Sequence, residues 1–115
     1  MFINTDNELL KKIEITLTYY IKGLVVYENN TSWLDTIQRI VENALLEYTK
    51  IDIRKKNFFE ISIKDIDEKY IRLELTNKNN KYSKKTRYIY IDIPYTEVIN
   101  KKNYKLDGKV YIRII

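Results

Sequence analysis

The sequence predicts an α+β domain in which about two N-terminal helices pack on one face of a four- to five-stranded antiparallel sheet. Three observations carry this. Apolar residues recur at three- and four-residue spacing within residues 5–49, alternate singly with polar residues within 57–115, and flank a tight-turn dipeptide, Asp107-Gly108. At 115 residues and 14.0 kDa the chain fits one domain, 1–115, and 44% hydrophobic residues suffice for a core without cross-links.

The first segment reads two ways. Leu9, Leu10, Ile13, Leu17, Tyr20, Ile21 and Leu24 fit a helix, whereas Ile13, Ile15, Leu17, Tyr19 and Ile21 alternate with Glu14, Thr16 and Thr18 as a strand would. Thr5-Asp6-Asn7-Glu8 forms a capping box and Gly23 suits a helix stop, which favours the helix; the β-branched Ile13, Ile15, Thr16 and Thr18 oppose it. Residues 33–49 are unambiguous. Trp33, Leu34, Ile37, Ile40, Val41, Ala44, Leu45 and Tyr48 make one apolar stripe, and Ser32 with Asp35 marks its start.

From residue 57 the period is two. Phe59, Ile61 and Ile63 alternate with Phe58, Glu60, Ser62 and Lys64; after a turn at 65–69, Ile71, Leu73 and Leu75 alternate with Tyr70, Arg72, Glu74 and Thr76, which predicts a hairpin. Residues 86–93 form the next strand, with Arg87, Ile89, Ile91 and Ile93 on one side, Tyr88, Tyr90 and Asp92 on the other, and Pro94 expected to end it. Around Asp107-Gly108 the last hairpin is expected to close, with Val110, Ile112 and Ile114 alternating with Tyr111, Arg113 and Ile115.

Composition excludes much chemistry. With no Cys and no His the chain cannot build a zinc finger, a thiol nucleophile, a Ser-His-Asp triad or a His-ligated haem. Glycines at 23 and 108 alone rule out a Gly-rich phosphate loop. Asp65, Asp67 and Glu68 lack the glycine and distal glutamate of a calcium loop and read as a turn. No cofactor or metal is expected. The first residues lack a basic-then-apolar leader, and no apolar run approaches the roughly 18 residues of a membrane span, so a cytoplasmic protein without a membrane partner is the expectation.

The net charge of +5 is unevenly spread. Residues 1–49 carry four cations against seven acids, net −3, and residues 50–115 carry seventeen against nine, net +8. Ile, Lys, Asn and Tyr account for 57 residues while Ala, Gly and Pro total four, the skew an AT-rich gene imposes, so the basicity has two readings, function and codon usage. The same discount applies to Lys55-Lys56 and to Lys78–Arg87, which reads more plainly as a solvated hairpin connection than as a phosphate clamp.

If the Ile and Leu positions face the helices, the pleat forces Tyr70, Arg72, Tyr88, Tyr90, Tyr111 and Arg113 onto the opposite face, with Glu74 and Asp92. Tyr and Arg are enriched at protein interfaces and also stack on unpaired bases, although Tyr has high strand propensity whether or not it binds anything. The expected function is that of a non-enzymatic protein-binding domain, an immunity or inhibitor protein that covers a bacterial toxin or nuclease. Tyr70, Arg72, Tyr88, Tyr90, Tyr111 and Arg113 are its expected contact face, and Glu42 and Glu47 on the acidic helical half a secondary one. The alternative is a basic RNA-binding or RNA-cleaving toxin domain with the outline of the RelE-like toxins, using the same Tyr/Arg face. Oligomeric state is not legible.

Overall fold

The helix reading of the first segment holds, and its burial pattern shows why. In the computed structural model, which describes residues 7–49, 59–77, 88–99 and 102–115, α1 runs over Asn7–Ile21 and buries Leu9, Leu10, Ile13, Leu17 and Ile21. A strand would have put Ile15 and Tyr19 beside Ile13 and Leu17; instead they are 68% and 77% exposed, so the period is four and not two. The threonines that argued against a helix are accommodated by back-bonding, Thr16 Oγ1 to Lys12 O at 2.8 Å and Thr18 Oγ1 to Glu14 O at 2.7 Å. Gly23 then turns the chain with φ of +79°, and Leu24 N closes onto Ile21 O at 2.9 Å. Thr5-Asp6, Lys55-Lys56 and the basic segment 78–87 lie outside the described residues.

An unanticipated strand, β1 (Val25–Tyr27), separates the helices. It is three residues long, too short for its alternation to register in the sequence. Next comes α2 (Trp33–Thr49), burying Trp33, Ile37, Val41 and Ala44. Its entry differs in detail from the Ser32–Asp35 expectation: Asn30 Oδ1 accepts from Ser32 N at 3.2 Å, Ser32 contributes its carbonyl to Asp35 N, and Trp33 Nε1 donates to Tyr27 O at 2.9 Å.

The remaining strands are β2 (Phe59–Ile66), β3 (Tyr70–Asn77), β4 (Ile89–Ile99), β5 (Asn103–Leu106) and β6 (Tyr111–Ile114). Among the described residues all pairings are antiparallel, in the order β1-β5-β4-β3-β2 with β6 also on β4, which makes six strands where four or five were expected. The first hairpin forms as read, except that a bulge between Ile63 and Asp65 keeps the ladder going to Ile66↔Ile71, which shortens the turn to Asp67–Lys69.

Two punctuation readings fail together. Pro94 does not end β4, which continues to Ile99; and Asp107-Gly108 does not close a hairpin, because β5 and β6 both run antiparallel to β4 along one of its edges. Between the pairs Tyr95↔Leu106 and Asp92↔Tyr111, β4 spends two residues and its neighbour four, Asp107–Val110, so Asp107-Gly108 is an offset within one interrupted strand direction. Pro94 sits opposite this offset. Tyr95 N donates to Lys69 O, so by alternation the position of the missing proline amide faces away from β3, towards the offset rather than a regular ladder. Gly108 has φ of +111°, and a Cβ there would lie 2.9 Å from Pro94 Cγ, so ring and glycine are packed as a unit.

One face of the sheet carries Phe59, Ile61, Ile71, Leu73, Leu75, Ile89, Ile91 and Ile93 into a common core with both helices, with Ile63, Ile112 and Ile114 packed against it. Burying each such side chain contributes roughly 1.5–3 kcal/mol. The outer edge of β6 is covered by α1: Val110 N donates to Thr18 Oγ1 at 2.9 Å and Ile112 N to Glu14 Oε2 at 2.7 Å. Edge amides that would otherwise template aggregation are thereby occupied.

Candidate functional site

Strand register assembles the other face of the sheet. Ser62, Glu74, Tyr90 and Arg113 form one cross-strand row, and Asp65, Arg72, Asp92 and Tyr111 the next, across β2, β3, β4 and β6. Tyr88 extends the face at the end of β4, where its amide and carbonyl exchange bonds with Ile115. All six residues expected on this face, Tyr70, Arg72, Tyr88, Tyr90, Tyr111 and Arg113, are thus brought to it.

At its centre lies Asp92, the one buried acid among the described residues at 4% exposure. Arg72, directly across in β3, grips it bidentately with Nε to Oδ1 at 2.8 Å and Nη2 to Oδ2 at 2.9 Å. Arg113 reaches it diagonally from β6, with Nε to Oδ2 at 2.8 Å. A buried carboxylate is tolerable only when so satisfied. Burial by itself pushes the Asp92 pKa upward, but the hydrogen bonds from Arg72 and Arg113, reinforced by their charges, outweigh it and hold the carboxyl below its ordinary value. In return, the bond to Asp92 holds the Arg72 guanidinium even more firmly protonated.

The aromatics pack around this clamp. The Arg72 guanidinium carbon lies 4.8 Å from the Tyr90 ring centroid and 5.6 Å from that of Tyr70, and Tyr88 stacks on Tyr90 at 6.0 Å with planes 10° apart. Tyr111 sits between two cations, Arg113 at 5.5 Å and Lys109 at 5.0 Å. The result is a fixed centre and an accessible margin. Tyr90 is 9% exposed and Arg72 is largely enclosed, whereas Tyr88, Tyr111 and Arg113 remain open to solvent.

Sequence reasoning placed Asp92 on this face without giving it a role, and passed over Lys109. An acid between Ile91 and Ile93 in mid-strand was the available signal, because the pleat allows an acid there but burial demands cationic neighbours. Glu42 and Glu47 belong elsewhere, on α2. Glu42 accepts from Gln38 Nε2 at 3.1 Å, the same nitrogen that reaches Phe59 O, while Glu47 is exposed. Asp65 at the end of β2 and Asp67 in the turn each accept the following amide, Ile66 N and Glu68 N, at Oδ1. Among the described residues no group of three or more Asp and Glu could hold a metal ion, and no helix is long and apolar enough to cross a membrane.

No protein-family model, no curated protein and no solved structure matches the chain. The functional reading therefore rests on the geometry of this face.

Proposed function

We infer that the protein is a non-enzymatic binding protein that lays the Tyr/Arg face of its sheet over the surface of another protein, in the manner of an immunity or inhibitor protein. The observation that carries this reading is the Arg72–Asp92–Arg113 clamp. It fixes the rotamers of the long side chains at the centre of the face before any partner arrives, so binding there would lose little side-chain entropy. Tyr88, Tyr111 and Arg113 at the open margin are residue types that dominate interface energetics.

The same clamp weighs against the RNA-cleaving alternative. To stabilise a phosphorane an arginine must turn its donors towards the reacting phosphate, whereas Arg72 is held bidentately on Asp92 and largely enclosed. Tyr90, the tyrosine nearest the clamp, is packed rather than presented.

The test is a reconstitution with a protein captured on the wild-type chain, the product of the neighbouring gene being the first to try. Tyr88→Ala and Tyr111→Ala should each accelerate dissociation by about tenfold or more at unchanged thermal stability, the usual effect of truncating an aromatic anchor. Wild-type affinity in both variants would remove this face as the contact. Turnover of RNA by the purified chain that disappears in Arg113→Ala would establish the alternative.

A further inference from the structure

A second surface lies round the edge of β6, where α1 docks. Lys11, Ile15 and Tyr19 follow one another at four-residue spacing along α1, and so do Glu14, Thr18 and Lys22 beside them; with Lys109 from the offset before β6 they line an open groove. Its floor is held in place, since Thr18 and Glu14 bond the amides of Val110 and Ile112. Its walls combine two features seldom left in water together. Ile15 and Tyr19 are among the most exposed large apolar side chains described, and Lys11, Lys22 and Lys109 surround them.

Charge decides what fits. Among the described residues that line the groove Glu14 is the one acid, and its Oε2 is turned to the Ile112 amide, so three cations outnumber one carboxylate and the lining favours an anionic ligand. We propose that the groove between α1 and the Lys109 offset is a docking site for an acidic peptide segment that places an apolar side chain against Ile15 and Tyr19 and its carboxylates on Lys11, Lys22 and Lys109. An anionic lipid surface suits it less well, because Ile15 and Tyr19 are its two large apolar side chains, too few to make the continuous apolar face that sinks into headgroups. A nucleic acid would use the cations but leave Ile15 unengaged. The site adjoins the margin of the sheet face at Lys109, whose ammonium also lies 5.0 Å from the Tyr111 ring, while Tyr88 is not among its lining residues.

The experiment titrates the full chain with a synthetic Asp/Glu-rich peptide containing one central Leu, by fluorescence anisotropy at low and moderate salt. Saturable binding is expected, weakened about tenfold or more and made less salt-dependent by the double variant Lys22→Glu/Lys109→Glu. Tyr19→Ala should weaken it about tenfold with the salt dependence kept, and Tyr88→Ala on the sheet face should leave it unchanged. These positions are exposed, and thermal denaturation verifies that every variant is folded. Equal binding by wild type and the charge-reversed variant overturns the proposal. So does binding of a Leu-free polyglutamate, of single-stranded RNA or of phosphatidylserine vesicles as tight as that of the peptide.

Discussion

Replacing Asp92 by Asn should be among the most damaging single-atom changes available in this chain. It preserves volume and one acceptor but removes the charge that three guanidinium nitrogens hold at 2.8–2.9 Å. Breaking a fully buried ion pair costs about 3–5 kcal/mol because a charge is stranded in low dielectric. Here the stranded groups are only partly buried, with Arg72 23% and Arg113 53% exposed, so water can recover part of their solvation, and a loss of about 2–3 kcal/mol is the expected balance. For a domain of this size that lowers Tm by roughly 6–15 °C. The assay is urea and thermal denaturation of wild type and Asp92→Asn between pH 7 and pH 2.5. Because folding lowers the Asp92 pKa, its contribution is complete above the unfolded value of about 4 and is lost as pH falls through the still lower folded value. The two stability curves should therefore be separated at neutral pH and converge under acid. A difference below about 0.5 kcal/mol at pH 7, or one that does not shrink on acidification, would refute the clamp as the organiser of this face.

Other outcomes follow from the same geometry. Leu73→Ala, at a fully buried position between Ile63 and Ile91 in the ladder, should cost about 2–5 kcal/mol in chemical denaturation. Gly108→Ala should destabilise by about 1–3 kcal/mol and more than Gly23→Ala, since both need positive φ but only Gly108 would also drive a Cβ into Pro94. Thr18→Val, which keeps shape but removes the hydroxyl that accepts from Val110 N, should cost about 1–2 kcal/mol and speed exchange of the Val110 amide relative to the rest of the sheet. RNA, DNA and simple phosphoesters should survive incubation with the purified chain, as read by gel and phosphate release, because the chain has no Cys or His to serve as nucleophile or base and Arg72 is held on Asp92.

What was legible in the sequence is what each segment decides for itself. The stripe from Trp33 to Ala44 and the alternations around Ile61, Leu73 and Ile91 are local periodicities, and burial follows them because a helix or strand can turn only one side to the core. The same alternation put Tyr70, Arg72, Tyr88, Tyr90, Tyr111 and Arg113 on a shared face, since the pleat leaves no other place for them. Even the doubtful first segment carried part of its answer in Gly23, while its threonines, which read against a helix, are accommodated by bonding back along it.

Only the tertiary structure decided who pairs with whom. Pro94 reads as a strand end and Asp107-Gly108 as a hairpin turn, but such a signal ends a strand only if no neighbour accommodates it; side by side, the proline's missing donor and the glycine's left-handed backbone become one offset through which both strands continue. Three-residue β1 exists because β5 supplies its partners, with Val26 opposite Tyr104. Asp92 acquired its meaning in the same way. Its burial is affordable only because β3 and β6 flank β4 in a register that delivers Arg72 and Arg113 to its two oxygens, and register is a property of strands meeting in space that no single strand encodes.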